Sequence, residues 1–402
     1  MAPDKFKGSL TAAEVAGRVS AGLGVPTVEL PVADGGDGTV DAAVACGFER
    51  ITIEVTGPTG ERIPASYAWH AADATAVVEL AEASGLRRLP GDREPLTATS
   101  YGTGELVADA VRRGAGRVVL GLGGSACTDG GAGMAQALGA RLLDAGGHDL
   151  PRGGAALRTL DSIDMSGFMD ISGVEFVVAS DVDNPLLGPH GAAAVYGPQK
   201  GATAEDVTTL EAALSRLAAV ATQTHGLLGA PERRSSRRES EGRANEERSG
   251  RDHEHEHDDM PRPMGVAGAP GVGAAGGVGF AALAFLHADI RPGIDYLLGL
   301  LGFGAQVEGA RLVITGEGSL DEQSLRGKAP IGVAQAAAKA GVPVIAVCGR
   351  RTLTDEELQV AGIEAAYALT DLEADPDRCM AEAGPLLERL AARIAADHLE
   401  GK

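Results

Sequence analysis

Four times in this 402-residue chain, a short run of β-branched and aliphatic residues breaks off into glycine, carboxylate or both. Residues 27–32 run into ADGGDG at 33–38, and residues 117–120 run into a glycine-rich stretch beginning at Gly121. Residues 174–179 run into SDVDNP at 180–185, and residues 311–315 into GEGSLD at 316–321. Open α/β sheets bind ligands outside the carboxyl ends of their strands. The pattern therefore predicts an α/β protein whose strand tips share one polar site. The densest case is 121–133, with six glycines in thirteen positions. Each glycine costs about 0.5–1 kcal/mol relative to alanine in regular structure. Such a cluster implies tight turns, or a ligand that approaches the main chain.

Around these tips the chain has two textures. After the strand at 311–315, Pro330 suits the first turn of a helix over 331–340, and 342–347 reads as the next strand. That is a βαβ unit with a right-handed crossover. Residues 51–55, 62–70 and 75–80 instead read as short alternating strands joined by Gly-Pro and Ala-Asp turns, an antiparallel meander. A chain this long predicts two domains. Aromatics are only 3% of residues, so Ala, Val, Leu and Gly must build the core.

Composition narrows the partners. The net charge of −21 argues against nucleic acid and anionic membrane, so a phosphate site must come from backbone N–H groups and a few lysines. The four cysteines form no CxxC pair and read as reduced thiols of a cytoplasmic protein. No signal peptide is expected from the opening residues. Residues 265–286 are uncharged and long enough to span a bilayer, but too rich in Gly and Ala to be expected to do so. Residues 231–263 are densely charged with almost nothing to bury, so they read as a disordered insertion. His253, His255 and His257 within it read as part of a solvated linker rather than a metal site.

Two chemistries compete for the tips. Gly121-x-Gly123-x-x-Ala126 after a strand, with Asp144 some twenty residues on, satisfies a loose dinucleotide fingerprint. A second one at 271–276 lacks a preceding strand. There is no Walker A, because Gly327-Lys328 is followed by Ala329. Against hydride transfer stand the carboxylates Asp34, Asp37, Asp129, Asp181, Asp183, Glu317 and Asp321, all beside glycine or at strand ends. They suit Mg²⁺, which takes one or two carboxylates plus substrate phosphates, though any one alone is equally an ordinary turn residue. Lys5, Lys7, Lys200 and Lys328 supply point charges for phosphate. Ser125 has no nucleophile elbow and reads as a hydrogen-bond donor. His190 reads as a turn residue and Cys127 as apolar filling.

The motifs APDKFKGSL (2–10), ADGGDG (33–38), YGTGEL (101–106), residues 121–140, SDVDNP (180–185), GPQKGA (197–202), AAGG (274–277) and ITGEG (314–318) through GKAP (327–330) resemble the bacterial ATP-dependent glycerate kinases. The resemblance covers nearly the whole chain outside 231–263. It implies transfer of the γ-phosphoryl group of ATP to a hydroxyl of D-glycerate with Mg²⁺, usually giving 2-phosphoglycerate, in glycerate salvage. It also implies two α/β domains with the active site in the cleft between them. A Rossmann-like, doubly wound parallel domain (1–50 and 291–402) would receive a mixed-sheet domain (51–290) as an insertion. The expected partners are ATP and D-glycerate, with a homodimer left open.

On this reading Gly123, Gly124 and Ser125, at a helix N-terminus, cradle ATP phosphates, with Thr128, Asp129, Gly316 and Gly318 beside them. Asp181, Asp183, Glu317 and Asp321 are the Mg²⁺ candidates. Lys7 and Lys328 neutralise substrate carboxylate or transferring phosphate. Asp34 or Asp37 orients the attacking hydroxyl and accepts its proton. Lys5, Asn184, Lys200 and Ser324 contact substrate. Three departures stand out. Only Met1 precedes Ala2-Pro-Asp where members usually carry a short apolar strand, so a start further upstream or a truncation is expected. Cys127-Thr128 stands where Thr-Asn is common, and 231–263 is foreign to the pattern. The rival readings are a dehydrogenase using Gly121 to Ala126 with Asp144, and a non-catalytic sugar-acid sensor.

Overall fold

The computed structural model describes residues 1–225 and 265–399, so the charged run 231–263 lies outside the described residues. Strands β1 (Ala2–Pro3), β2 (Glu49–Thr56), β3 (Arg62–His70), β4 (Thr75–Glu79), β5 (Arg117–Gly121) and β6 (Arg141–Leu143) come first. They are followed by β7 (Ser162–Asp164), β8 (Glu175–Ala179), β9 (Asp289–Arg291), β10 (Val313–Leu320), β11 (Val344–Arg351) and β12 (Ala365–Ala368). One sheet, ordered β1-β10-β11-β12, is parallel throughout. The other, ordered β2-β3-β4-β5-β8-β9, is antiparallel from β2 to β4 and parallel from β4 onward. A small ribbon pairs β6 with β7.

The reasons are local. Strands β5 and β8 and the first halves of β10 and β11 are mostly apolar, and all four are buried along most of their length, as parallel strands covered on both faces must be. The predicted βαβ unit is present: β10, the helix Ala329–Lys339 with Pro330 in its first turn, then β11 as a parallel neighbour. The predicted meander is β2–β3–β4. The helix Ala12–Leu23 opens with a Thr11/Glu14 capping box and stops at Gly24, whose φ is +65°. One apolar cluster passes from sheet to sheet, joining Val77, Val119 and Ala179 to Leu297, Val313 and Val344. The helices Thr39–Ala45 and Gly293–Leu300 carry it, packing on β3, β4 and β8.

Three expectations are refined. Residues 27–32 are extended but form no regular strand. Leu30 and Val32 still donate to the Met1 and Pro3 carbonyls at 2.7 and 2.9 Å, so the segment runs beside β1. With β1 only two residues long, the ladder has nothing more to pair with. The uncharged stretch 265–286 folds as a short 3-10 turn at Gly265–Gly268 and the helix Ala274–Leu286, left-handed at Ala275, Gly276 and Gly277. Among the described residues no helix is long and apolar enough to cross a membrane. All four cysteines are free. Burial pushes the Cys46 thiol up to about 11 and that of Cys348 up to about 12.

Beyond the amino end of β1 lies an open groove of about 560 Å³, lined by Met1, Val28, Leu30, Val307, Leu312 and Val313. The Met1 ammonium donates to the Val28 carbonyl at 2.6 Å, while β1 engages β10 only at Thr315 and Gly316. Three apolar β-formers fused ahead of Met1 are therefore expected to continue β1 into the groove. Each buried side chain contributes about 1.5–3 kcal/mol, so the thermal midpoint should rise clearly above that of a Gly-Ser-Gly fusion. Equal midpoints would refute the fit.

Candidate active site

Three strand tips meet at a cavity of about 680 Å³. The end of β1 delivers Asp4, Lys5 and Lys7, and the loop after residues 27–32 delivers Asp34 and Asp37. The end of β10 delivers Glu317 and Gly318, with Lys328 at the start of the following helix, and Gly124 reaches in from the loop after β5. Of the residues expected at the site from sequence, Lys5, Lys7, Asp34, Asp37, Gly124, Glu317, Gly318 and Lys328 line this cavity.

The charges interlock. The Asp4 N–H donates to the Gly316 carbonyl at 2.8 Å, and its Oδ1 accepts from the Lys5 N–H at 2.7 Å. The Lys5 ammonium donates to the Asp37 carbonyl, tying the β1 tip to the 33–38 loop. Asp34 Oδ1 accepts from the Gly36 N–H at 3.1 Å, which fixes that turn. Burial pushes the Asp4 carboxyl up to about 7; Lys5 opposes this, while Asp34 and Glu317 add to it. Burial also raises Glu317, against the Ser324 hydroxyl and Lys328, whose Nζ lies 3.5 Å from Glu317 Oε2. Glu317 Oε1 is buried with no hydrogen-bond partner among the described residues. An orphaned carboxylate oxygen in a lysine-lined cavity is a site held ready for a cation or a donor.

The glycine-rich loop differs from its sequence expectation. The next helix is Ala132–Ala137, so Gly123, Gly124 and Ser125 do not open a helix and no dipole points from them. The loop stays irregular because its N–H groups are committed elsewhere: Gly123 to the Gly35 carbonyl at 3.1 Å, Ala126 to Ser84 at 2.9 Å, Gly130 to Gly276 at 3.0 Å. Only Gly124 borders the cavity; Gly123 packs on Gly36, and Ser125 is buried in a bridge to Gly85. The late helix also removes the dinucleotide geometry. Asp144 sits in a turn, accepting from the Gly146 and His148 N–H groups.

Other expected site residues prove to be internal supports. Asp129 is fully buried and accepts from Ser100 N–H and Oγ at 2.8 and 2.9 Å and from the Gly131 and Gly133 N–H groups. Thr128 is buried beside it with its hydroxyl unpaired. Lys200 is buried, donates to the Cys127 carbonyl, and is pushed down to about 8 by loss of solvent. Gly316 packs on Val347 inside the sheet, and Ser324 braces the 319–324 turn through the Asp321 N–H at 3.0 Å. Asp321 itself accepts from the Gln323 N–H and stands 4.0 Å from Lys328, at the edge of the site. Asp181 accepts from the Gly293 N–H at 2.8 Å, Asn184 bonds His190 and Tyr196, and Asp183 is exposed. None of these last three borders the cavity.

Sequence reasoning passed over Asp4 and Glu79, both carboxylates at the carboxyl end of a strand. It also missed the apolar end of the cavity, built by Leu369, Cys379 and Met380; nothing local marks those residues. Asp4 provides a test. Its folded carboxyl binds protons more tightly than the unfolded one, so stability falls as pH rises from about 4 to about 7 and the penalty is full above that. Asp4→Asn is expected to raise the urea midpoint of the unliganded protein at pH 8, with the gain vanishing near pH 4. An unchanged pH profile would refute the burial assignment.

Known proteins are similar to this chain along nearly its full length. A profile described as the glycerate kinase family matches residues 1–399. Glycerate kinase of Bacillus subtilis is 42% identical, the match covering 98% of this chain and 96% of that one. Glycerate 2-kinase of Escherichia coli is 39% identical over the same shares. A crystal structure of a glycerate kinase 2 from Salmonella typhimurium LT2 superposes with a TM-score of 0.78 at 38% identity, covering 98% and 96% of the two chains. The chain belongs to the glycerate kinase family and is a phosphotransferase.

Proposed function

We propose that this enzyme transfers the γ-phosphoryl group of ATP to D-glycerate, giving 2-phosphoglycerate, in the cavity at the tips of β1 and β10. The observation that carries the reading is Lys5, Lys7 and Lys328 facing Asp4, Asp34 and Glu317 in one cavity beside the Gly124 turn. The lysines suit a carboxylate-bearing substrate and a transferring phosphate. Transfer is in line: the glycerate hydroxyl oxygen attacks the γ-phosphorus, the bond to the bridging β–γ oxygen breaks, and the hydroxyl proton passes to Asp34 or Asp37. The free thiols agree with a cytoplasmic setting.

Among the described residues no three His, Cys, Asp or Glu side chains stand close enough to cage a metal ion. Mg²⁺ does not require a cage, because it takes one or two carboxylates plus substrate phosphates. Glu317, with its orphaned oxygen, and Asp34 fit that demand. When bound, Mg²⁺ supplies charge neutralisation on the phosphate oxygens.

The test is ADP release coupled to D-glycerate, with and without Mg²⁺, with the product identified by phosphorus NMR. Turnover is expected only with all three present. Asp34→Ala and Lys7→Ala should each lower kcat/KM by more than about tenfold, the scale of general-base and charge terms. Smaller losses in both would remove these roles.

A further inference from the structure

Asp37 does not hold its own position. Its Oδ1 is buried with no hydrogen-bond partner among the described residues. The Lys5 ammonium bonds the Asp37 main-chain carbonyl, and the cation that faces this side-chain oxygen is the Arg87 guanidinium, whose Nε stands 3.7 Å away. A side chain on Gly124 would press on the same oxygen, at 2.9 Å. The Asp37 carboxylate is thus wedged between the Gly124 turn and Arg87.

Arg87 is held in turn by acids. Its Nη2 donates to Glu79 Oε1 at 3.0 Å and to Glu82. Glu79, at the end of β4, is 1% exposed. Its second oxygen accepts from the N–H groups of Gly38 and Val40, both at 3.1 Å. One buried carboxylate therefore grips the main chain just after Asp37 and the guanidinium that faces the Asp37 side chain. The Leu86 N–H donates to the Gly124 carbonyl at 2.9 Å, so the segment carrying Arg87 is also fastened to the turn that borders the cavity. Burying Glu79 has a real cost, since burial pushes its carboxyl up to about 7 against the pull of Arg87. Such a cost for two amide bonds and one guanidinium contact around the 37–40 segment points to a role in that segment's geometry.

We propose that Glu79 is a positioning residue which, through the Gly38 and Val40 amides and through Arg87, sets the Asp37 carboxylate against the Gly124 turn for phosphoryl transfer. It acts through Asp37 and does not itself reach the cavity. The proposal rests on the reading of Asp37 as part of the transfer site.

The experiment is a double-mutant cycle on the full chain, with Glu79→Gln, Asp37→Asn and the pair, assayed with ATP and D-glycerate and normalised to the folded fraction from circular dichroism. Glu79→Gln is expected to lower kcat at least about tenfold, with KM for ATP within about twofold. On the Asp37→Asn background, the same change should cost no more than about twofold, because the residue it positions is already disabled. A merely structural Glu79 would give losses that multiply, and that result overturns the proposal while leaving Asp37 in the site. If Asp37→Asn turns over like the starting protein, the reading of Asp37 fails and the positioning role fails with it. Arg87→Ala, changed at a half-exposed side chain, should repeat the pattern. If Glu79→Gln does not fold, the Arg87→Ala and Asp37→Asn cycle decides on the same criteria.

Discussion

The site depends on main chain lying directly against main chain. Gly35 passes so close to the end of β8 that a Cβ there would sit on the Ala179 carbonyl. Gly121 would meet the Gly35 carbonyl at 2.8 Å, and Gly123 would strike the Gly36 Cα. Gly35 also needs a φ of +88°, which side-chain-bearing residues rarely adopt. The glycines are thus the contact by which the loop anchored on β1 docks onto the six-stranded sheet. Only this approach puts Asp34 and Asp37 next to Gly124. Without it, the lysines and carboxylates of the first sheet would face solvent and not a cavity wall.

Ionisable side chains around this contact do two different jobs. Asp4, Lys5, Asp34, Glu317 and Lys328 keep atoms facing the cavity. Asp129 and Lys200 are turned fully inward, where every polar atom needs a partner. Asp129 finds five N–H and O–H donors across two helix starts, and Lys200 donates to the Cys127 carbonyl while packing against the left-handed turn at Gly276. Both sit in motifs as glycine-rich as those of the cavity, so composition around them gives the same signal for a brace as for a ligand.

That explains how far the sequence could be read. Strand tips were legible because apolar runs and glycine breaks are local. The α/β class, the meander and the β10–β11 unit followed from them. Which tips converge is decided by tertiary docking, so the 33–38 and 316–318 segments reached the cavity while 180–185 stayed outside. The helix start after β5 was misplaced by several residues. Hydrogen bonds from Gly123, Ala126 and Gly130 to three separate segments hold that loop open, and none of those partners is close in sequence. Glu79 was overlooked because the strand before it ends in Val-Val-Glu-Leu with no glycine to mark a tip.

The thiols carry a separate consequence. Cys127, Cys348 and Cys379 are buried, and burial holds all four sulfurs in the protonated, weakly nucleophilic form. At Cys127 and Cys348, both fully buried, an alkylating reagent therefore meets almost no thiolate until the surrounding segment opens. With Cys127 inside the glycine loop and against Ala275, and Cys348 inside β11, the rate of labelling at each of these two sulfurs becomes a clock for the loosening of its own layer, the loop read independently of the parallel sheet.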